Sequence, residues 1–265
     1  MMRRVCLLVA AAAAGLAGEP CVGGRAVDPS YVSIAEGTGG HLYLFGPGEV
    51  AQSGSLMAWH HKHRETVFRA MGEMRQPARE FSFPVDSMAD SLVVTVSLQC
   101  KESVAILDPS GAEAAGERLE FRAGKAVMVV HPAPGAWKLR LAGRGLFFVT
   151  VEAAGELSLD EARFVEPGGR PGHEGLFPMK TPPVLGSAGL LELGLSKAVR
   201  SLNVSLVDSE AKVLDRGDLS DGVARFPALR HAAFRVAVEG VDERGWPFMR
   251  MQAPLTKLTA AAAAR

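Results

Sequence analysis

The sequence predicts an all-β protein made of two consecutive antiparallel β-sandwiches, preceded by a short α/β segment. The first observation is a series of short β-rich runs between Arg79 and Ala153, separated by turns of Pro, Gly and Asp. The second is a similar series between Ala188 and Glu239, which fits an immunoglobulin-like or fibronectin-like sandwich. The third is composition. The 29 Gly and 16 Pro beside 6% aromatic residues favour a turn-rich β protein over a helical one.

The N-terminus has the layout of a secretory signal peptide over residues 1–18. Met1–Arg4 is short and basic, Val5–Leu16 is apolar, and small residues follow at Ala17 and Gly18. The apolar run is shorter than the ~20 residues that cross a bilayer, and no other run is long enough. We therefore expect a secreted, extracellular protein without a membrane span.

Residues 19–78 form the predicted N-terminal segment. It is interpreted as the end of a helix, a glycine stop at Gly39 and Gly40, and a short buried strand at Leu42–Phe45. Apolar residues then recur at roughly helical spacing from Glu49 to Met74, which predicts a helix. The segment looks like the end of a domain whose body is missing, so we expect exposed apolar surface on Leu42–Phe45.

The first sandwich is predicted over residues 79–155. Residues at 92, 94, 96 and 98 are apolar and alternate with a second set that faces the other way, as expected for a strand. Trp137 is expected to anchor the core. The predicted strands are Ser91–Leu98, Val104–Leu107, Ala126–His131, Trp137–Leu141 and Leu146–Glu152.

The second sandwich is predicted over residues 156–256, with a frayed Ala-rich tail at 257–265. Glu166–Pro183 is rich in Gly and Pro and is predicted to be a loop. The predicted strands are Leu159–Val165, Ala188–Leu195, Ser201–Val207, Val213–Leu214, Val223–Phe226, Phe234–Glu239 and Pro247–Met251.

Charge and motifs exclude several function classes. Lys plus Arg equals Asp plus Glu at 29 each, so the net charge is zero and the basic face of a nucleic-acid-binding protein is not expected. The sequence holds no Gly-x-Ser-x-Gly elbow, no His-Glu-x-x-His motif and no phosphate-binding Gly-x-x-x-x-Gly-Lys-Ser/Thr loop. We therefore expect a protein that is not an enzyme.

Two candidate modification sites follow from secretion. Asn203-Val204-Ser205 is an N-glycosylation acceptor on a strand where the neighbours of Asn203 face inward, so Asn203 should point outward. Removal of the signal peptide would leave Cys21 and Cys100 as an even pair. They either form one disulfide or remain two free thiols, and the sequence leaves both alternatives open.

No metal ion or other cofactor is expected. His60, His61 and His63 are clustered, but no third ligand or supporting shell is evident, and a polar helix face explains them. Four aspartates of the second sandwich match no EF-hand spacing, and solvated turns explain them; they are Asp208, Asp215, Asp218 and Asp221.

Several groups of residues, taken in order, resemble the region that follows the von Willebrand factor A domain in hemicentins and related proteins. They are Tyr31–Ala35 with Thr38–Gly40, Phe83–Asp86, the strand at 92–98, Ile106–Gly111, Pro134–Trp137 and, as a longer stretch, Phe164 to about Pro254. The resemblance implies the end of an A domain, then a galactose-binding-like, jelly-roll sandwich and an immunoglobulin-like domain. The Asp-x-Ser-x-Ser motif of the A domain is absent, so its metal-dependent adhesion site is not implied.

The predicted function is a secreted, hemicentin-like binding or structural module that contacts extracellular or matrix proteins. The expected contact loops are Asp108–Glu117 and His131–Ala136, because rigid strands present variable loops. The alternative is a lectin-like module that binds a glycan through the first sandwich. That alternative needs an exposed aromatic platform. Trp137 is the candidate for this platform in the first sandwich, and we expect it to be buried.

Overall fold

The structure is a computed structural model that describes residues 27–46, 48–60 and 64–259. Strands dominate this part of the chain, which confirms the all-β prediction. The helical elements are α1 (Pro29–Thr38), a 3-10 turn (Val50–Gln52) and α2 (Ser53–Trp59). The strands are β1 (Glu65–Met74), β2 (Ala78–Val85), β3 (Ala89–Leu107), β4 (Glu117–Phe121), β5 (Gly124–Val130), β6 (Gly135–Gly155), β7 (Leu159–Gly168), β8 (Gly175–Pro178), β9 (Gly189–Leu195), β10 (Val199–Val207), β11 (Val213–Ser220), β12 (Val223–Phe226), β13 (Ala233–Asp242), β14 (Pro247–Met251) and β15 (Thr256–Lys257).

Two antiparallel sheets account for these strands. In the described part of the chain, the first has six strands in the order β1-β6-β3-β5-β4, with β2 also paired to β6. The second has nine strands in the order β14-β13-β10-β11-β12-β9-β7-β8, with β15 paired to β13. The predicted loop at Glu166–Pro183 instead contributes strand residues to β7 and β8.

The first sheet folds back on itself around its own core. Phe68 pairs with Val151 of β6, and Phe81 pairs with Leu139 of the same strand. Positions 139 and 151 would lie about 40 Å apart on a straight strand. The rings of Phe68 and Phe81 nevertheless lie 5.6 Å apart, so the two ends of β6 belong to facing layers.

Irregular pairing near the middle of β3 and β6 allows this bend. Register shifts occur beside Cys100, and a Cβ atom at Gly143 would lie 2.2 Å from the Cys100 carbonyl oxygen. Only glycine permits so close an approach of the two backbones. The four strands predicted at 91–98, 104–107, 137–141 and 146–152 therefore form two long, bent strands, because the bulges bend the ladder without ending it.

The second sheet also curls around a core of its own. The rings of Phe164 on β7 and Phe234 on β13 lie 6.0 Å apart, although four strands separate β7 from β13 in the sheet order. The strands between them would hold these rings more than about 20 Å apart in a flat sheet. Apolar side chains such as Leu191 and Phe226 fill the interior.

The two sheets pack against each other. Val207, Ala237 and Met249 of the second sheet belong to the core cluster of the first. A buried ion pair joins Arg250 Nη2 of β14 to Asp86 Oδ2, at 2.7 Å, just after β2. The predicted strand Pro247–Met251 has the bounds of β14, and every residue of it after Pro247 is buried.

The N-terminal segment covers the outer face of the first sheet. Gly39 ends α1 in the left-handed conformation, with φ 71°, as the predicted glycine stop requires. The expectation of exposed apolar surface on Leu42–Phe45 is wrong, because these side chains are buried. Tyr43 and Phe45 pack on Val93 of β3, so the sheet itself supplies the partner that the segment needs.

The helix predicted from Glu49 to Met74 is also wrong over its second half. Helical structure ends at Trp59, and β1 runs from Glu65 to Met74. Every residue from Thr66 to Met71 is buried because β1 is covered on both faces. A strand buried on both faces does not alternate apolar and polar residues, so the apolar residues of β1 also matched a helical spacing.

No helix in the described ranges is long and apolar enough to cross a membrane. Residues 1–26, which hold the predicted signal peptide, lie outside the described residues.

Candidate functional site

The two predicted contact loops meet a turn of the second sheet. A Cβ atom at Gly135 would lie 3.1 Å from the ring of Pro109 and 3.8 Å from Cζ3 of Trp246. Loop 108–117, loop 131–136 and the turn between β13 and β14 thus form one surface, which we call the Trp246 face. Trp246 is 43% exposed there, so a large part of its indole is available for contact.

Hydrogen bonds to Asp242 hold the turn that carries Trp246. Oδ1 of Asp242 accepts from the backbone N–H of Arg244 at 2.9 Å and of Trp246 at 2.8 Å. Oδ2 accepts from the backbone and the hydroxyl of Ser87, at 3.0 and 2.7 Å. Burial opposes the charge of Asp242, but these hydrogen bonds outweigh it and lower its pKa. The indole is therefore displayed on a fixed turn that is anchored to the first sheet.

Asp108 fixes the neighbouring loop in the same way. Its Oδ1 accepts from the hydroxyl of Ser110 at 2.6 Å and from the backbone N–H groups of Ser110 and Ala112 at 2.8 and 3.1 Å. The hydrogen bond from the Ser110 hydroxyl is the main reason why the pKa of Asp108 is lowered. Pro109, at the centre of this turn, is thus presented in one conformation beside Trp246.

A shallow groove runs alongside the Trp246 face. Pro84 of β2 lines one part, and Ser201, Asn203, Glu239 and Pro247 of the second sheet line others. Asn203 is exposed, whereas the next residue on β10 is buried, as the alternation predicted. The acceptor side chain is accessible, and its glycosylation stays a prediction.

The sequence also singles out Trp137, Cys21 and Cys100. Trp137 is buried, and its Nε1–H donates to the Ala133 carbonyl at 2.9 Å, so it forms no exposed platform. Cys100 is disulfide-bonded. Cys21 lies outside the described residues, so its pairing with Cys100 stays a prediction.

Three buried side chains beneath the N-terminal segment form a cluster that the sequence did not predict. Nδ1 of His60 lies 2.6 Å from Oε2 of Glu152, and Nε2 of His41 lies 3.4 Å from Oε1 of the same carboxylate. The two imidazole rings are 4.0 Å apart. Their side chains are at most 9% exposed. Among the described residues, this trio is the group of side chains that could hold a metal ion.

The ionisation of the cluster has clear causes. Burial is the main cause that lowers the pKa of His60, and together with the charges of His41 and Arg64 it outweighs the opposing effect of Glu152, which favours the neutral imidazole. Burial alone would raise the pKa of Glu152, but hydrogen bonds from His41 and His60 overcome it and lower that pKa. Glu152 is therefore held as a carboxylate between two imidazoles.

Patterns in the sequence drew attention to one residue of this cluster, His60. The sequence pattern singles out His60 together with His61 and His63, and the latter two residues lie outside the described residues. Glu152 is 92 residues away from His60 along the chain, and the two meet because α2 packs on the first sheet. No local motif marks His41 or Glu152.

Comparisons with known proteins give little similarity. No protein-family model matches the chain, and no curated protein matches it. Among solved structures, the crystal structure of a Bacillus licheniformis lipase in its propeptide form is similar with a TM-score of 0.34 and 12% sequence identity. The similarity covers 70% of this chain, which spans 40% of the length of that structure.

These findings correct two predictions from the sequence. The resemblance to the hemicentin region is wrong: the motifs behind it are short turn and strand signals, no family model matches, and the solved structure described above is a bacterial lipase. The prediction that the chain is not an enzyme is contradicted, because that neighbour is an enzyme, and it is not retained. At this TM-score the neighbour assigns neither a fold nor an activity to the chain.

Proposed function

We propose that this protein is a secreted binding module that contacts an extracellular protein through the Trp246 face. The observation that carries the proposal is the exposure of Trp246 on a turn fixed by Asp242, next to Pro109. Tryptophan is among the residues that dominate the free energy of protein binding when it is buried at the centre of an interface.

Preorganisation supports the same conclusion. Asp242 and Asp108 hold the two turns by hydrogen bonds within the free protein. A side chain that is already ordered loses less conformational entropy on binding, so more of its contact energy appears as affinity. The Trp246 face combines a large apolar contact with a low ordering cost.

Two features support an extracellular setting. The first 18 residues have the layout of a signal peptide. Cys100 is disulfide-bonded, and disulfides persist chiefly in oxidising compartments.

A glycan is the second candidate ligand. The groove beside Pro247 is lined by the polar side chains of Ser201, Asn203 and Glu239. Trp246 directly precedes Pro247 in the chain. Stacking on an aromatic ring with neighbouring polar groups is the arrangement that the lectin-like alternative requires. The aromatic ring would come from the second sheet rather than from Trp137.

The test is binding of the secreted protein to immobilised panels of extracellular matrix proteins and of glycans. We expect a ligand on the protein panel, and Trp246→Ala should weaken it by roughly thirty-fold, the effect of losing about 2 kcal/mol at a hot spot. Phe177→Ala is the matched control, because Phe177 is 46% exposed on β8 at the opposite edge of the second sheet.

The outcomes separate the candidates. Binding to a protein that Trp246→Ala removes and Phe177→Ala leaves unchanged supports the proposal. Binding confined to the glycan panel, with the same dependence on Trp246, supports the second candidate. Ligands that respond equally to both substitutions, or no ligand on either panel, would contradict a binding role for the Trp246 face.

A further inference from the structure

The cluster of His41, His60 and Glu152 has the chemistry of a metal site. Two imidazole nitrogens and one carboxylate oxygen lie within 4.8 Å of one another, which is close enough to share one ion. Two histidines with one glutamate form an established ligand set for zinc, which favours nitrogen ligands more strongly than magnesium or calcium does.

Distances between the ligand atoms fit one central ion. Zinc binds histidine nitrogen and carboxylate oxygen at about 2.0–2.2 Å in a tetrahedral arrangement, so two of its ligands lie about 3.4 Å apart. Nε2 of His41 and Oε1 of Glu152 are 3.4 Å apart. The 2.6 Å contact of His60 Nδ1 with Glu152 Oε2 is a hydrogen bond that an ion would replace, and the proton of the neutral imidazole would then sit on Nε2.

Polar atoms around the trio are left without partners. Nδ1 of His41 and Nε2 of His60 are buried and have no hydrogen-bond partner among the described residues. The same holds for the hydroxyls of Thr66 and Thr150. Thr66 is the cross-strand partner of Glu152, and Thr150 precedes Glu152 by two residues, so all three share one face of the sheet. Buried polar atoms without a partner call for an explanation, and an ion or ordered water bound among these side chains is one such explanation.

Neighbouring charges restrict which ion fits. Arg64 and Arg69 act electrostatically on Glu152, and Glu36 lies 3.5 Å from Arg69 and pairs with Arg235. A site with one carboxylate among these guanidinium groups disfavours calcium, which prefers several negatively charged oxygens. Imidazole ligands bind a transition metal without adding negative charge.

We propose that Nε2 of His41, Nδ1 of His60 and a carboxylate oxygen of Glu152 bind a divalent transition-metal ion of the zinc type. His41 follows α1, His60 ends α2, and Glu152 lies on β6. The ion therefore fastens the N-terminal segment to the first sheet. This role is independent of the Trp246 face.

The experiment uses the full secreted chain, with its disulfide intact, stripped with a chelator. Zinc chloride is titrated calorimetrically, and cobalt chloride is added separately to record its visible absorption. We expect one zinc ion per chain, a higher Tm with zinc, and an intense visible cobalt band of tetrahedral coordination. Glu152→Gln and His41→Gln should each weaken zinc binding at least about 100-fold, since even outer partners of metal ligands contribute 10–100-fold.

Two controls make the test decisive. His173→Gln alters an exposed histidine and should leave zinc binding unchanged. The double variant His61→Gln, His63→Gln removes the histidines next to His60 and should also bind zinc normally. If Glu152→Gln does not fold, His41→Gln and the cobalt spectrum of the unaltered chain decide. The proposal is overturned if the unaltered chain does not bind one zinc ion, if His41→Gln binds normally, or if the double variant loses the site.

Discussion

The two faces of strand β6 differ sharply in how they are stabilised. Phe147, Val149 and Val151 face a core that the folded first sheet closes by itself. Thr150 and Glu152, on the opposite face, are buried only because the N-terminal segment covers them. Burial of apolar surface is non-directional, whereas a buried charge needs a specific partner. We therefore expect the core to be stabilised by many close apolar contacts, and the outer layer to depend on a few specific polar contacts.

Arg69 shows how the outer layer is held. Its guanidinium donates to the backbone carbonyls of Ala35, Gly39 and Gly40 at 3.1, 3.2 and 2.6 Å, at the C-terminal end of α1. Burial and the nearby Arg235 lower the pKa of Arg69 to about 10, so it remains charged at neutral pH. Arg69 of β1 thus donates hydrogen bonds to carbonyl groups at the end of α1, where carbonyl groups have no partner within the helix.

The largest expected effect comes from the apolar core. Trp137→Ala should lower the free energy of unfolding by about 3–5 kcal/mol, since it removes the largest fully buried side chain and leaves a cavity. Urea unfolding followed by circular dichroism measures the change. Trp246→Ala, at an exposed tryptophan, should change the free energy by no more than about 0.5 kcal/mol. Equal losses for the two variants would refute the assignment of buried and exposed roles.

The next effect tests the outer layer. Arg69→Met should lower the free energy of unfolding by about 3 kcal/mol, because three buried carbonyls lose their donor and the ion pairing of Glu36 is halved. It should also make the N-terminal segment more sensitive to limited proteolysis than the sheets. Arg140→Met is the control, because its ion pair with Glu80 is exposed and screened by solvent, so its loss should leave stability nearly unchanged. A wild-type protease pattern in Arg69→Met would contradict the account.

The smallest effect is a pH dependence of the outer layer in the presence of chelator. The pKa of His60 is lowered in the folded protein, so the unfolded chain binds more protons and stability is lost as the pH falls below about 6.5. The pKa of Glu152 is also lowered, which adds a loss of the same sign below about 4.5. His41 and Arg64 face the same groups and oppose protonation of His60.

His60→Gln isolates the first of these two losses. The variant should lack the decrease in the urea midpoint between pH 7.5 and pH 5.5 that the unaltered chain shows, and it should keep the loss at lower pH. The same slope in both proteins between pH 7.5 and pH 5.5 would assign the pH dependence to other groups.

Local signals in the sequence predicted the parts of the fold that depend on neighbouring residues. Gly39 ends a helix because a left-handed residue is needed there, and the Asp108–Gly111 turn follows from its Asp, Pro and Gly. The bounds of β14 and the burial of Trp137 were also predictable. The predicted contact loops do come together at Gly135 and Pro109.

Features that depend on distant residues could not be predicted. β1 is buried on both faces, so its pattern gave no period of two. The bend of β6 depends on the approach of Gly143 to Cys100, which are 43 positions apart in sequence. Glu152 gains its partners from two segments of the N-terminal layer, and Trp246 meets the first sheet through Gly135. Each of these requires the packed structure.

Hydrogen exchange of the native chain, with and without zinc, tests most directly whether the polar cluster fastens the outer layer. We expect zinc to slow exchange in residues 39–46 and 53–60, and to leave exchange in the turn at 242–246 unchanged. In His41→Gln the slowing should disappear. Exchange in the N-terminal layer that does not respond to zinc, or that slows equally in His41→Gln, would contradict the account.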